Sequence, residues 1–276
     1  MLAGRAYMHF LYPFKSFELG DDFNLEDRLN WGSLPRACTL SDAEERAAYL
    51  KSYALTYIKE EVQVEQLVRN LDPFREFLEI AALGSGEIIN YSKMGRDVGV
   101  DNKTVQNYFQ ILEDTLLGFI LPAHHRSLRK SQLEHPKFYL FDNGVRKALS
   151  RSLKSYVTEG TSAFGEAFEH WMIQEIFRLN HYTQSDYRLS YFATKNDVEI
   201  DLVLSRGRET ILVEIKSAKT HQLDEIRKLD RSSEIFKPTA TYYVSRDSHS
   251  IKEGGVQALH WKNFLKKLFL ENRITR

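Results

Sequence analysis

Apolar residues recur at helical spacing through the first half of the chain. The sequence Ser-Asp-Ala-Glu at 41–44 has the form of a capping box in which Ser41 is the cap, and it predicts a helix that runs to about Glu61. Pro73 begins a second helix, which the Gly-Ser-Gly sequence at 84–86 ends. Residues 1–35 are rich in aromatic and turn-forming residues, so we expect irregular or briefly helical structure there.

A short helix, a turn and a longer helix are predicted next. Ser92 is a candidate cap for a helix that ends at Val98, Gly99 makes the turn, and Asp101 caps the following helix. A polar loop and a strand over 137–141 follow. This order of elements is typical of a winged helix-turn-helix, which we place at residues 71–150.

Alternation of strands and turns dominates the last third of the chain. The polar, unpatterned stretch at 151–161 is interpreted as a linker, and residues 164–179 have the apolar spacing of a helix. Strands are predicted at 187–193, 198–205, 210–216 and 241–245, and further helices at 223–235 and 261–270. We therefore expect a multidomain α/β (α+β) protein made of a segment over 1–70, the helix-turn-helix module, the linker and an α/β domain over 162–276.

The predicted hairpin over 198–216 brings charged residues onto neighbouring strands. Its first strand alternates Val198, Ile200, Leu202 and Leu204 on one side with Glu199 and Asp201 on the other. Its second strand has Glu214 and Lys216 on one face. The sequence Arg-Gly-Arg-Glu at 206–209 predicts a type II′ turn that pairs Arg206 with Glu209, and this register sets Asp201 opposite Glu214.

Two carboxylates opposite each other repel, and one pKa rises unless a cation compensates. Lys216 supplies one positive charge, and a divalent metal would supply the rest. Mg²⁺ suits such a site because it prefers carboxylate oxygens and keeps several waters. A solvated hairpin face with ordinary alternating charge explains the same spacing without any metal.

Composition adds few constraints to this picture. Lys plus Arg and Asp plus Glu are equal at 38 each, so the net charge does not indicate nucleic acid, membrane or acidic substrates as partners. Cys38 is the single cysteine, which excludes an internal disulfide and a Cys-rich zinc site and fits a reducing compartment; we expect a cytoplasmic protein. The first residues are unlike a signal peptide, and no apolar run approaches the ~18 residues of a transmembrane helix.

Longer stretches of sequence are similar to a known family. They are LAGRA at 2–6, YIKEEV at 57–62, VGVDNKTVQNYFQILEDTLLGF at 98–119, HPKFYLFDNGV at 135–145 and FGEAFEHWMIQEI at 164–176, followed by DVEIDLVL and VEIKSAK. With these, the chain resembles the C-terminal part of a prokaryotic AAA-type ATPase family that carries the domain of unknown function 4143. The last third also resembles the PD-(D/E)XK, or restriction-endonuclease-like, superfamily, whose motifs are a helical Glu, then Asp, then Glu-x-Lys on adjacent strands.

The resemblance implies a nuclease-type site. Glu169, Asp201, Glu214 and Lys216 match its motifs, with Asp201 and Glu214 as ligands of Mg²⁺. Glu166, three residues earlier on the same helix, is an alternative to Glu169. Because fold does not establish function, two interpretations stay open: Mg²⁺-dependent cleavage of DNA, and a catalytically inert DNA- or protein-binding module or truncated remnant.

The nucleotide-binding half of the resembled family is missing from the sequence. No G-x-x-x-x-G-K-[ST] motif occurs, so we expect neither a nucleotide site nor ATPase activity from this chain alone. Family members carry that half upstream of LAGRA, so we expect Met1 to lie within a longer ancestral protein. A truncated gene, a mis-assigned start and a separate ATPase partner are the open explanations.

The helix after Gly99 has a polar face suited to DNA. Asn102, Lys103, Gln106 and Asn107 lie off its apolar stripe, and Asn and Gln pair with adenine in the major groove. Arg126, Arg129 and Lys130 lie in the loop that follows and suit phosphate contacts. A solvated or protein-docking helix face explains the same residues. The predicted partners are therefore DNA and either an ATPase half or a second copy, with no membrane.

Overall fold

The structure is a computed structural model that describes residues 9–57, 68, 71–125, 135–194 and 198–271. The helices are α1 (Ser16–Leu19), α2 (Leu25–Trp31), α3 (Pro35–Thr39), α4 (Ala43–Tyr57), α5 (Leu71–Leu83), α6 (Tyr91–Val98), α7 (Asn102–Asp114), α8 (Asn143–Leu149), α9 (Ser162–Tyr182), α10 (Leu223–Ser233) and α11 (Trp261–Leu265), which continues as a π-helical turn at Lys266–Leu270. The strands are β1 (Gly118–Leu121), β2 (Lys137–Leu140), β3 (Arg188–Ala193), β4 (Glu199–Arg206), β5 (Glu209–Ile215), β6 (Ala240–Ser245), β7 (Ile251–Glu253) and β8 (Val256–His260). The molecule is thus a mixed α/β protein, as expected.

Two of the predicted helix caps are wrong by one or two residues. Asp42, rather than Ser41, caps α4 through a 2.9 Å hydrogen bond that its carboxylate accepts from the Glu45 amide. Asn90, rather than Ser92, caps α6 by accepting a hydrogen bond from the Lys93 amide. Asp42 lies one position after the predicted cap and Asn90 two positions before it; each reaches the third amide of its helix, and Asp and Asn cap at least as well as Ser.

The turn between α6 and α7 forms as predicted. Gly99 adopts a left-handed conformation with φ of 71°, and Asp101 accepts a 2.8 Å hydrogen bond from the Thr104 amide. Aromatic rings of α7 then pack against α5, where Phe77 and Phe109 meet edge to face. The antiparallel pair β1–β2 completes the order of elements that the sequence predicts for residues 71–150.

The last third forms a six-stranded mixed sheet with the order β3-β4-β5-β6-β8-β7. The pairs β3–β4, β4–β5 and β7–β8 are antiparallel, whereas β5–β6 and β6–β8 are parallel. Side chains of α9 and α11 share a core with one face, and side chains of α10 share a core with the other. The result is a helix, sheet, helix sandwich. No helix among the described residues has the length and apolarity needed to span a bilayer.

The small β1–β2 sheet joins the two halves of the molecule. Phe119, Leu121 and Tyr139 are buried in the core that α9 shares with the large sheet, while Phe138 and Leu140 are buried in the core of the helical half. An isolated bridge between Ala123 and Tyr191 extends the contact to β3. Residues before and after the predicted linker at 151–161 therefore share one apolar core.

Strand β4 departs from the strict alternation predicted for it. Ser190 pairs with Val203 and Phe192 with Ile200, so two steps along β3 correspond to three along β4. The extra residue forms a β-bulge at 201–202, and a bulge changes the direction of the side chains around it. As a consequence Ile200 packs in the core under α10, on the opposite face from Leu202, rather than on the same face.

Candidate active site

Three carboxyl side chains from α9, β4 and β5 interact electrostatically. Glu169 comes from α9, Asp201 from the bulge of β4, and Glu214 from the end of β5. Asp201 is only 6% exposed, and the other two are half-buried. Burial and the Asp201 carboxyl raise the pKa of Glu169 to about 8 and that of Glu214 to about 7. The structure therefore brings the sequence-predicted acids together as one electrostatic cluster.

The hairpin register matches the predicted one as far as Leu202 and Val213, one pair short of Asp201 and Glu214. Arg206 pairs with Glu209, and the register continues to Leu202 opposite Val213. Gly207 has φ of 59°, which the first central position of a type II′ turn requires. Just beyond the last pair, the Oδ2 atom of Asp201 accepts a 2.7 Å hydrogen bond from the Ile215 amide. This bond fixes the Asp201 carboxyl next to the end of β5.

Lys216 supplies the cation that the sequence predicts beside these acids. Its Nζ atom lies 2.6 Å from Oε1 of Glu214. Burial lowers the pKa of Lys216, but the Asp201 and Glu214 carboxyls outweigh this effect and leave the pKa raised. The ammonium group thus stays charged. The other carboxylate oxygen of Glu214, Oε2, is buried without a hydrogen-bond partner.

The structure distinguishes the two candidate glutamates of α9. Glu166 is exposed, and it acts on the half-buried Arg146: desolvation lowers the pKa of Arg146, and the charge of Glu166 partly restores it. Glu169 instead faces the acids: its Oε1 atom accepts a 3.4 Å hydrogen bond from the hydroxyl of Tyr139, and its pKa responds to Asp201. Glu169, not Glu166, is the residue that lies with the other acids.

Sequence reasoning missed three residues of the site, namely Lys137, Tyr139 and Glu199. The Nζ atom of Lys137 lies 2.9 Å from Oε1 of Glu199, across 62 positions of sequence. Burial lowers the pKa of Lys137, but Glu199, Glu169 and Asp201 together leave it raised. The available signal was a lysine within the otherwise apolar Lys-Phe-Tyr-Leu of β2, all four residues of which are buried.

The charges of this cluster suit a divalent cation. Glu169, Asp201, Glu199 and Glu214 face two lysines, so full ionisation leaves two negative charges, the charge that one Mg²⁺ ion neutralises. Within the described residues no group of three or more His, Cys, Asp or Glu side chains is arranged to hold a metal. Because Mg²⁺ keeps several waters and is commonly held by one or two carboxylates, Asp201 and Glu214 would be its candidate ligands. The orphaned Oε2 of Glu214 fits that role, with Asp201 beside it.

The acids of the site all lie within one matched region of the chain. Residues 164–264 match the model of a domain of unknown function, DUF4143. The chain carries a DUF4143 region. Residues 22–155 match a second domain of unknown function, DUF8612, which contains Lys137 and Tyr139. The acidic site therefore takes residues from both matched regions.

Two curated relatives are similar to the chain across both regions. They are Uncharacterized protein Rv2008c of Mycobacterium tuberculosis and Uncharacterized protein Mb2031c of Mycobacterium bovis. Each is 24% identical to the chain over 221 residues, which are 79% of this chain and 48% of the relative. The chain thus spans about half the length of the curated relatives that it matches.

The predicted DNA-binding residues of the DUF8612 region are only partly described. Asn102, Lys103, Gln106 and Asn107 are exposed on α7, as the polar face of the sequence predicts. The Nδ2 atom of Asn102 donates a 3.0 Å hydrogen bond to Ser92 of α6, which holds this side chain at the start of the helix. The predicted loop residues Arg126, Arg129 and Lys130 lie outside the described residues.

Proposed function

We propose that the DUF4143 region holds an Mg²⁺-dependent phosphodiesterase site, of the PD-(D/E)XK type, that cleaves DNA. The observation that carries the proposal is the cluster of Glu169, Asp201 and Glu214, three acids that face Lys216, with the Oε2 atom of Glu214 buried and without a hydrogen-bond partner. Asp201 and Glu214 are the proposed ligands of Mg²⁺. A bound Mg²⁺ ion would lower the pKa of a water molecule and offset charge on the phosphate.

The protein side chains have separable roles in this proposal. Because its pKa is raised, Lys216 stays protonated and serves as a hydrogen-bond donor that orients the attacking water rather than as a base. Glu169 has a pKa of about 8, and a proton acceptor is most effective when its pKa is close to the working pH. Glu169 is therefore the proposed proton acceptor beside Asp201 and Glu214. The 2.7 Å hydrogen bond from the Ile215 amide holds Asp201 in one orientation.

Nicking of supercoiled plasmid in the presence of Mg²⁺ tests the proposal. We expect cleavage by the wild type and losses on the order of 100-fold or more in Asp201→Ala and Lys216→Met, because each removes a group from the reacting centre. Asp224→Asn is the matched control, since Asp224 is fully exposed at the start of α10. Circular dichroism melts establish that each variant is folded. Equal nicking by the wild type and Asp201→Ala would contradict the proposal.

A catalytically inert binding module is the second candidate function. It is favoured by the two internal ion pairs, Lys216 with Glu214 and Lys137 with Glu199, which neutralise half of the acids without any metal. In that case the wild type binds DNA or a protein but leaves the plasmid intact at every Mg²⁺ concentration. The same assay therefore separates the two functions.

We also propose that the DUF8612 region has a winged helix-turn-helix fold and docks a DNA duplex on α7. Exposed Asn102, Lys103, Gln106 and Asn107 support major-groove contact. Fluorescence anisotropy with a short duplex tests this role. Lys103→Ala is expected to weaken binding and reduce the slope of log K against log salt by about one, as loss of one phosphate contact does. Lys51→Ala on α4 is the control, and equal effects of both variants would argue against docking on α7.

Two observations support protein partners: the resemblance to an AAA-type ATPase family, and the fact that the chain spans about half the length of its curated relatives. An AAA-type ATPase half, separate or missing, and a second copy of the chain are the proposed protein partners. Light scattering of the purified chain measures its copy number directly. A dimer that dissociates without loss of DNA cleavage would show that the site needs no second copy.

A further inference from the structure

Lys137 is a buried cation whose partner is exposed. The side chain of Lys137 is 7% exposed, whereas that of Glu199 is 54% exposed. The 2.9 Å contact between them is therefore made at the outer edge of the acidic cluster, with Glu199 on the solvent side. Lys137 also lies 5.2 Å from the ring centroid of Tyr191.

The position of Lys137 is set by backbone contacts rather than by this ion pair. Lys137 pairs with Leu121 in the β1–β2 sheet and forms a further bridge with Ile88. The hydroxyl of Tyr191, the ring beside the ammonium group, donates a 2.5 Å hydrogen bond to the His135 carbonyl. These contacts hold the backbone of Lys137 independently of Glu199.

Burying an ammonium group is costly unless an anion compensates, so this lysine needs a partner. A carboxylate and a phosphate diester present similar acceptor oxygens to a lysine. Glu199 lies on the solvent side of Lys137, the side that a ligand arriving from solvent meets first. Displacing Glu199 would free the ammonium group for a phosphate.

We infer that Lys137, supplied by the DUF8612 region, is a binding residue for a backbone phosphate of the nucleic-acid substrate, and that Glu199 occupies its place until substrate arrives. The inference rests on the proposed function for its substrate class. It adds a residue outside the DUF4143 region to the site. The exchange is purely ionic: Lys137 releases the Glu199 carboxylate and pairs with a phosphate oxygen, and no covalent bond changes.

The exchange predicts that substitutions of Lys137 and Glu199 change the affinity for DNA in opposite directions. Lys137→Met is expected to weaken binding of a short duplex roughly 10-fold, the effect of one charged hydrogen bond, and to reduce the salt slope by about one. Glu199→Gln is expected to tighten binding about 3-fold, because an exposed competitor is removed. A merely structural ion pair would instead give weaker binding in both variants.

The experiment measures duplex binding by fluorescence anisotropy in EDTA, so that its readout does not depend on cleavage. Lys137→Arg keeps the charge and should retain most of the affinity. In Lys137→Met/Glu199→Gln the gain from Glu199→Gln should vanish; a gain that persists there shows general electrostatics and overturns the inference. Glu253→Gln, on the opposite edge strand β7, is the control for loss of an acidic charge and should change binding little.

The outcomes separate this inference from the proposed function. If the wild type nicks plasmid and Lys137→Met binds DNA as tightly as the wild type, the inference is wrong while the proposed function stands. If the wild type never nicks plasmid but the two variants shift affinity in opposite directions, the phosphate site stands and the nuclease function is wrong. Melting curves test whether Lys137→Met is folded. If it is not, Lys137→Arg, with retained binding, and Glu199→Gln, with tighter binding, still test the inference.

Discussion

At the scale of single residues, the proposed Mg²⁺ ion would compete with protons for the same carboxylates. Glu169 and Glu214 have pKa values of about 8 and about 7, against an ordinary value of 4.5. In both cases burial is the largest cause and the Asp201 carboxyl the next. At neutral pH and without a metal, Glu169 is therefore mostly protonated and Glu214 about half protonated, and a bound cation would displace these protons.

This competition predicts a pH dependence of stability. Folding raises both pKa values, so the folded state binds more protons than the unfolded state between about pH 4.5 and about pH 8, and stability falls as pH rises through this window. We expect Tm in EDTA to decrease over that range, by about 2–4 °C for each kcal/mol lost. At pH 8, Mg²⁺ at 100 times its Kd should increase the free energy of unfolding by about 2.7 kcal/mol and so raise Tm.

Differential scanning fluorimetry across pH, with and without Mg²⁺, measures both effects. Glu169→Gln removes one of the titrating groups and should flatten the EDTA profile. A Tm that increases between pH 5 and pH 8 in EDTA would contradict the assignment of raised pKa values. An Mg²⁺ effect that is equal at pH 5 and pH 8 would show that the ion binds elsewhere.

A second prediction at this scale separates the neighbouring glutamates of α9. Glu169→Gln is expected to reduce plasmid nicking by about 100-fold or more, since it removes a candidate proton acceptor from the cluster. Glu166→Gln should stay within about 2-fold of the wild type, as exposed substitutions away from a site usually do. Initial nicking rates at pH 8 measure both. Greater loss in Glu166→Gln would reverse the assignment of the helical acid.

The sequence predicts site residues that lie close together along the chain. It does not predict those that only tertiary packing brings together. The pairing of β4 with β5, which brings Asp201 near the end of β5, follows from the hairpin turn because the two residues of the loop determine the register. Lys137 lies 62 positions from its partner Glu199, and nothing in strand β2 indicates which strand it faces. Only the packing of the β1–β2 sheet against α9 brings it to the acids.

At the scale of elements, turns and helix spacing were predictable but irregularities in strands were not. The bulge at 201–202 of β4 arises from pairing with β3, and the amino-acid sequence of β4 alone carries no signal for it. The hairpin of β7 and β8 was missed because β7 has three residues and β8 mixes polar and apolar positions. The Gly-Gly sequence at 254–255 between them was the signal that could have found this hairpin.

The close packing of the β1–β2 sheet gives a prediction for Gly118. A Cβ atom at this position would lie 2.2 Å from the Phe138 ring and 2.6 Å from the Tyr139 carbonyl oxygen. Gly118→Ala is therefore expected to destabilise the protein by about 1–3 kcal/mol, the usual cost of overpacking. Because Phe138 follows Lys137, the variant should also weaken DNA binding.

Urea unfolding measures the loss in Gly118→Ala, and Gly165→Ala is the matched control. A Cβ atom at Gly165 would meet only Ser217 Oγ at 3.6 Å, an ordinary contact, and α9 gains helix propensity from alanine. The control should be as stable as the wild type or more so. Equal stability of Gly118→Ala and the wild type would show that β1 and β2 separate without cost.

At the scale of the whole molecule, the two matched regions are parts of one packed structure. The side chains of Phe119 and Leu121 are buried with those of α9 and the six-stranded sheet, although they belong to the DUF8612 region. We therefore expect a single cooperative unfolding transition, despite the predicted linker at 151–161. Leu121→Ala should lower the stability of the whole chain by about 2–5 kcal/mol.

Fluorescence and circular dichroism in urea test this cooperativity. Trp31 reports on the helical core, while Trp171 and Trp261 report on the core of the large sheet. Variants that keep only Trp31 or only Trp171, with phenylalanine at the other tryptophans, should give superimposable transitions. Two transitions with different midpoints would show that the regions unfold independently and that β1–β2 belongs energetically to one of them.

The contact between α7 and β2 has a geometric consequence for any cut. The rings of Phe109 on α7 and Phe138 on β2 meet at 5.0 Å, and Phe138 lies next to Lys137. This contact would hold the DNA-binding face of α7 at a fixed distance from Lys137. If α7 binds a duplex and Lys137 binds its backbone, the cleavage ends mapped by sequencing should lie at a constant number of base pairs from the bound sequence.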